Sequence, residues 1–189
     1  MSTAENLIQG SIEVKLAFLA DGGAKILERM AEKVLAALRA GHRVYLCGNG
    51  GSAADSQHIA CELVGRFMKE RAPLPCIALT TDTSVLTCLA NDYDYDRVFE
   101  RQVEALAREG DVLIALSTSG DSPNVLRAVE AAKRLGVATI GFSGRGGGRL
   151  KEAADICLVA PSEISPRIQE LHITCGHALC AIVEERYFA

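Results

Sequence analysis

The chain has 189 residues, 49% hydrophobic and 23% charged, with a formal net charge of −4. That length predicts one domain, able to bury about 70% of its unfolded surface without a disulfide or metal staple. The mild acidity and the absence of a lysine–arginine run argue against a nucleic-acid footprint, and no apolar run nears the ~20 residues of a bilayer span. An anionic ligand must therefore be met by local donors rather than by a global basic field.

Residues 1–9 lack the basic and apolar segments of a signal peptide. Residues 4–20 read as an amphipathic helix with Ile8, Ile12, Leu16 and Leu19 at helical spacing. Its stripe predicts packing against other copies of the chain; the alternative is packing on the chain's own sheet. A second helix runs from about 24 to 40, with Ile26, Met30, Val34 and Leu38 on one side, and Gly41 stops it. From there the chain alternates. Continuous apolar runs at 44–47, 76–79, 112–116, 138–142 and 156–160 predict parallel strands covered on both faces. Helical patterns occupy 53–68, 84–90, 96–107, 123–135, 149–154 and about 166–186. The expected architecture is an α/β, doubly wound, five-stranded parallel sheet. In such sheets ligands bind beyond the carboxyl ends of the strands, which singles out the loops 48–52, 80–84, 117–122 and 143–148.

Seven cysteines, with no C-x-x-C pair, lie largely in apolar runs. An odd count without a framework predicts free thiols in a reducing cytoplasm.

Two loops carry strand–turn–helix chemistry. Cys47-Gly48-Asn49-Gly50-Gly51-Ser52 lets backbone N–H groups approach an anion without Cβ obstruction, with the helix dipole adding attraction. It lacks the third glycine of a dinucleotide fingerprint and the lysine of a P-loop, and a plain tight turn explains it equally. Asn49 can aim its amide at a sugar hydroxyl. Ser117-Thr118-Ser119-Gly120-Asp121-Ser122-Pro123 offers four hydroxyls and a helix start, with Ser122 at the N-cap and Pro123 at the first helical position. It suits a phosphate, or a capped loop that binds nothing. Asp121 counts against a phosphate unless its carboxylate points away.

His58 and Glu62 stand four apart on one helix face, able to chelate a cation or simply to form a solvated pair. On the last helix, Gln169 and His177 lie roughly 80° apart in projection, close enough to converge on one centre. Glutamine is an uncommon zinc ligand, so spacing does not force the set His58, Glu62, Gln169 and His177. His172 reads as a structural or rim residue. Asn91-Asp92 can hydrogen-bond sugar hydroxyls or form an Asx turn, and Arg66 can pair with Glu62 or face a phosphate.

In order along the chain, Cys47-Gly48-Asn49-Gly50-Gly51-Ser52, His58-x-x-x-Glu62-Leu63-x-Gly65-Arg66, Asn91-Asp92, Ser117-Thr118-Ser119-Gly120-x-Ser122, Arg167-Ile168-Gln169-Glu170-x-His172 and His177 resemble the bacterial phosphoheptose isomerases of the sugar isomerase (SIS) fold. The resemblance spans essentially the whole chain. It implies a flavodoxin-like SIS domain over 1–189, with 1–40 a helical segment for oligomer packing and 41–189 the α/β core. It implies conversion of sedoheptulose 7-phosphate to D-glycero-D-manno-heptose 7-phosphate, the first step toward ADP- and GDP-activated heptoses. It further implies a cytoplasmic homotetramer with one zinc per subunit on His58, Glu62, Gln169 and His177. Substrate contacts would come from Asn49, Gly50, Gly51, Glu62, Asn91, Asp92, Ser117, Thr118, Ser119, Ser122 and Gln169. Proton transfer through an enediol suits Glu62 as the C1/C2 base and His177 as its acid–base partner. Two alternatives share the fold: a non-enzymatic protein that binds the replication initiator, and an isomerase for another sugar phosphate. The first resembles 80–92 but lacks the acid and histidine that stand here as Glu62 and His177.

Overall fold

The computed structural model describes residues 2–189. Two antiparallel-joined helices come first, α1 (Thr3–Ala20) and α2 (Gly23–Arg39). The alternating part follows as β1 (Val44–Gly48), α3 (Gly51–Val64), β2 (Cys76–Ala78), α4 (Thr83–Asp92), α5 (Glu100–Leu106), β3 (Val112–Ser117), α6 (Pro123–Arg134), β4 (Ala138–Ser143), α7 (Gly148–Ala153), β5 (Ile156–Val159) and α8 (Ser165–Tyr187). The strands form one parallel sheet in the order β2-β1-β3-β4-β5.

The period of two along each strand sorts the core into two layers. Val44, Leu46, Val112, Ile114 and Leu116 face α2, α3 and α8, against Met30, Val34, Ile59, Leu63, Leu179 and Val183. Tyr45, Cys47, Leu113 and Ala115 face the other way, against Val103, Val125, Val129 and Leu150 of α5, α6 and α7. A central strand with two buried faces has no polar face to show, which is why these runs read as unbroken apolar stretches. Each large side chain taken fully out of water there contributes roughly 1.5–3 kcal/mol.

Two predicted boundaries move. The helix expected to reach residue 68 ends at Val64, because Gly65 caps it and the Arg71 guanidinium takes the carbonyls of Glu62, Leu63 and Gly65. The helix expected over 96–107 splits into a 3₁₀ turn at Tyr95–Arg97 and α5. Arg71 is itself held by Glu184 of α8 at 3.0 Å, with side chains only 3% and 2% exposed. Glu184 also accepts the N–H groups of Phe67, Met68 and Lys69, so the segment after α3 is folded back onto α8. Burial alone would raise the Glu184 carboxyl, but these four donors outweigh it and hold it below the usual range.

His172 sits in the interior of α8, fully buried. Its Nε2 lies 3.0 Å from the Ser143 carbonyl oxygen at the end of β4 and donates to it, since a carbonyl can only accept. Its role is thus structural. Burial pushes its pKa down to about 4, against a lift from the Ser143 bond. Unfolded, the ring titrates near 6.5. The neutral ring's contribution is therefore complete above pH ~6.5 and is lost as the pH falls toward about 4. Urea unfolding across that window should show a loss of about 3 kcal/mol that His172→Gln lacks. An identical pH slope in wild type and variant would assign the loss to other groups.

Candidate active site

The strand order reverses direction between β1 and β3, the switch point at which a crevice opens in doubly wound sheets. The two loops leaving these strands, 48–50 and 118–122, flank that crevice. They are tied together by an amide pair. Asn49 Nδ2 donates to Asn124 Oδ1 at 2.9 Å, and Asn124 Nδ2 donates back to Asn49 Oδ1 at 2.9 Å. The Tyr95 hydroxyl adds a third bond, to Asn49 Oδ1 at 3.2 Å. The Asn49 amide is thus turned to its neighbours rather than free for a ligand. Buried Asn124 and exposed Tyr95 carry this lock, and the sequence reading passed over both; an Asn at the second position of a helix behind Pro123 was the available signal.

In the second loop the hydroxyls form a chain. Ser117 Oγ meets Ser122 Oγ at 2.9 Å and Ser119 Oγ at 3.4 Å. Ser122 stands at the N-cap of α6 as expected, yet its side chain makes no capping bond, because it is drawn to Ser117. Pro123 brings no N–H and the Val125 N–H donates to Asn124 Oδ1 at 2.9 Å, so the Asn124 N–H is the α6 donor that Ser122 leaves uncapped. Gly120 packs directly against the backbone of Gly147 and Gly148, leaving no room for a Cβ, and its φ of +72° favours glycine. Asp121 does point away. Its Oδ1 accepts from the Arg149 backbone N–H and Nε at 3.1 and 3.2 Å, and the backbone bond, with the guanidinium behind it, holds its carboxyl below the usual range.

Asn91 and Asp92 close α4 rather than forming a separate turn, and the Asn91 amide donates to Asp92 Oδ1 at 2.8 Å. Both are exposed. Arg66 meets neither Glu62 nor the crevice loops; it is an exposed partner of Glu70 at 3.7 Å.

Helices α3 and α8 lie side by side and bring the remaining residues together. His58 Nε2 and His177 Nε2 are 2.7 Å apart. Glu62 Oε1 is 3.4 Å from that same His58 nitrogen. At most one proton fits between the two nitrogens, so one ring donates and the other accepts. Phe67, on the segment folded back by Glu184, stacks on His177 with ring centroids 5.8 Å apart and planes at 25°. Gln169 stands nearer the start of α8. Its amide packs over Gly51, the first residue of α3, where a Cβ would overlap it. The third donor near His58 and Glu62 is Cys61, the ligand atoms of the three lying within 4.8 Å of one another. Burial and the Glu62 carboxylate both push the Cys61 thiol up.

The donor set fits a divalent cation. Tetrahedral zinc at 2.0–2.1 Å from each nitrogen sets two imidazole nitrogens about 3.3 Å apart, so the rings need part by only about 0.6 Å. The Asp55 carboxylate lies one turn before His58 on α3. Its Oδ2 is buried without a hydrogen-bond partner, and burial raises its pKa to about 6 while nearby His58 lowers it.

The fold is that of an SIS-domain protein: residues 10–144 match the SIS domain family. The phosphoheptose isomerase of Rhodospirillum rubrum is 57% identical over 162 residues, covering 86% of each chain. That of Aquifex aeolicus is 53% identical over 98% of this chain and 96% of its own. The solved structure of the Neisseria gonorrhoeae phosphoheptose isomerase superposes with a TM-score of 0.91 at 40% identity, covering 96% of this chain and 97% of that one. The chain belongs to the phosphoheptose isomerase family.

Because only the flexible end of Gln169 meets Gly51, Gly51→Ala should leave the unfolding midpoint nearly unchanged while displacing that amide. Isomerase kcat/KM is expected to fall about 10²-fold, the scale of a misplaced positioning group. Wild-type kcat/KM in this variant would put Gln169 outside the working site.

Proposed function

We infer that this chain isomerises sedoheptulose 7-phosphate to D-glycero-D-manno-heptose 7-phosphate, supplying heptose for ADP- and GDP-activated sugars. The observation that carries this reading is the meeting of α3 and α8, with His58 Nε2 and His177 Nε2 2.7 Å apart and Glu62 beside them. The relatives named phosphoheptose isomerase, similar over nearly the full chain, support it.

In this reading the phosphate rests on the α6 N-terminus among Ser117, Thr118, Ser119 and Ser122. The backbone of Asn49, Gly50 and Gly51, with Asn91, Asp92 and Gln169, orients the sugar chain. Glu62 removes the proton from one of C1 and C2 and returns it to the other. His177 moves the proton between the two oxygens, and Phe67 keeps its ring in plane. Zinc, one per subunit, would be held by His58, Glu62, His177 and Gln169, and when bound it stabilises charge developing on the substrate carbonyl oxygen. Glu62 serves as ligand and base, so its basicity is set by how tightly it is held. The retention of Glu62 and His177 favours an enzyme over an initiator-binding relative.

The reading extends to a cytoplasmic homotetramer. Four of the seven cysteines are buried as small free hydrophobes, which suits a reducing compartment. No helix among the described residues is long and apolar enough to cross a membrane. On α1, Leu7, Ile8, Ile12, Leu16 and Leu19 are 44–64% exposed in one stripe. An exposed apolar helix face of this length marks an interface, and further copies of the chain are its natural occupants.

Purified protein supplied with zinc should form heptose 7-phosphate from sedoheptulose 7-phosphate, with lower kcat/KM for five- and six-carbon ketose phosphates. Glu62→Gln and His177→Ala should each lower kcat by roughly 10²–10⁴-fold with the fold intact by circular dichroism. Near-normal turnover in either variant would remove that residue from the mechanism. Paired Ile12→Glu and Leu16→Glu should reduce the light-scattering mass from four chains toward one or two. An unchanged mass would take α1 out of the interface.

A further inference from the structure

We propose, resting on the isomerase reading of this crevice, that Tyr95 is a positioning residue whose hydroxyl holds the sugar-facing pair Asn91–Asp92 in place against the loop after β1. Asn91 and Asp92 end α4, a helix with no buried residue. Its apolar side chains Leu86, Leu89 and Ala90 are only partly covered by the core. A cavity of about 480 Å³ opens beneath the helix, between Val85 and Leu89 of α4, Ile77 of β2, and Arg101 and Leu106 of α5. Packing along its length therefore holds α4 loosely, and its orientation depends on its end. Among the described residues, the Tyr95 hydroxyl makes the one hydrogen bond from residues 83–97 that reaches beyond residues 82–100.

That bond lands on a fixed point. Asn49 Oδ1 accepts from Tyr95 at 3.2 Å and from Asn124 Nδ2 at 2.9 Å, so both of its lone pairs are used and the amide has one orientation. Asn124 Oδ1 accepts in turn from Asn49 Nδ2 and from the Val125 N–H, each at 2.9 Å. One string of hydrogen bonds thus joins the 3₁₀ turn after α4, the loop after β1 and the start of α6. Tyr93, between Asp92 and Tyr95, is flanked by the Arg97 and Arg101 guanidiniums at 5.1 and 5.0 Å from its ring centroid. Those contacts tie the segment to α5 and leave the tie to the crevice to Tyr95. Tyr95 is 56% exposed, so water can replace its hydroxyl at Asn49 and no buried acceptor is stranded when the bond is lost. Losing it therefore alters the placement of Asn91 and Asp92 rather than the fold. Contacts to sugar hydroxyls away from the reacting carbons act alike on bound substrate and transition state, so their displacement registers in KM.

Tyr95→Phe keeps the ring and removes only the hydroxyl. In the full-length protein, KM for sedoheptulose 7-phosphate should rise about 3–10-fold, the scale of one neutral hydrogen bond, with kcat within about twofold of wild type. The unfolding midpoint should not move, nor should inhibition by inorganic phosphate, which meets the serine loop alone. On an Asn91→Ala/Asp92→Ala background the same substitution should add nothing to KM, because Tyr95 acts through that pair. Tyr187→Phe, at the far end of α8, should leave every readout unchanged. Hydrogen–deuterium exchange reads the tie without substrate: the amides of α4 should exchange about 3–10-fold faster in Tyr95→Phe. A wild-type KM in Tyr95→Phe, or a further rise on the double-alanine background, would overturn the role of Tyr95 and leave the isomerase reading standing. Unchanged exchange across α4 would overturn it whatever the substrate. No turnover by the wild-type protein would overturn the isomerase reading and the positioning of sugar by Tyr95 together.

Discussion

The arrangement depends on the buried pair between Arg71 and Glu184. Two charges withdrawn from water this completely stay ionised because their polar atoms are partnered: three backbone N–H groups and Arg71 Nε on the carboxylate, and carbonyls from the end of α3 on the guanidinium. Removing one partner of such a pair strands the other and costs about 3–5 kcal/mol. Here the pair does more than stabilise. It stops α3 two residues after Glu62, turns the chain back, and lays Phe67 on His177. The ends of two helices that share no local sequence are thereby set at a fixed distance, and His58 and His177 meet across that seam.

A second constraint governs the other half of the crevice. The reciprocal Asn49–Asn124 amide pair fastens the loops after β1 and β3 to each other. An amide pair of this kind satisfies both polar ends of each side chain, so it holds a buried position without an unpaired donor. With side chains consumed in holding the loops, the ligand is left to backbone N–H groups and to the serine hydroxyl chain. That division suits an acidic protein that must bind a phosphate ester. Local dipoles attract the anion where net charge would repel it.

Much of the fold was legible because its signals are local. Five unbroken apolar runs separated by helical periodicity admit few arrangements besides a doubly wound parallel sheet, and the strands fall within a residue or two of the expected spans. The boundaries that shifted did so for long-range reasons: α3 stops early on account of Arg71, whose partner lies 113 residues further on. In the site, the glycine loop and the serine loop could be read from their places after strands. Ser122's turn toward Ser117, Arg66's pairing with Glu70 and Asn49's engagement with Asn124 could not, because each is a choice among side-chain partners that only packing resolves.

By itself the sequence determined the alternation of elements, the loops at the carboxyl edge of the sheet and the residue types that stand there, since these follow from periodicity, glycine and proline. Tertiary structure alone decided which of those residues meet. His58 and His177 are 119 residues apart and come to 2.7 Å through the packing of α3 on α8. Helical spacing reports which side chains share a face and says nothing of what the face is set against.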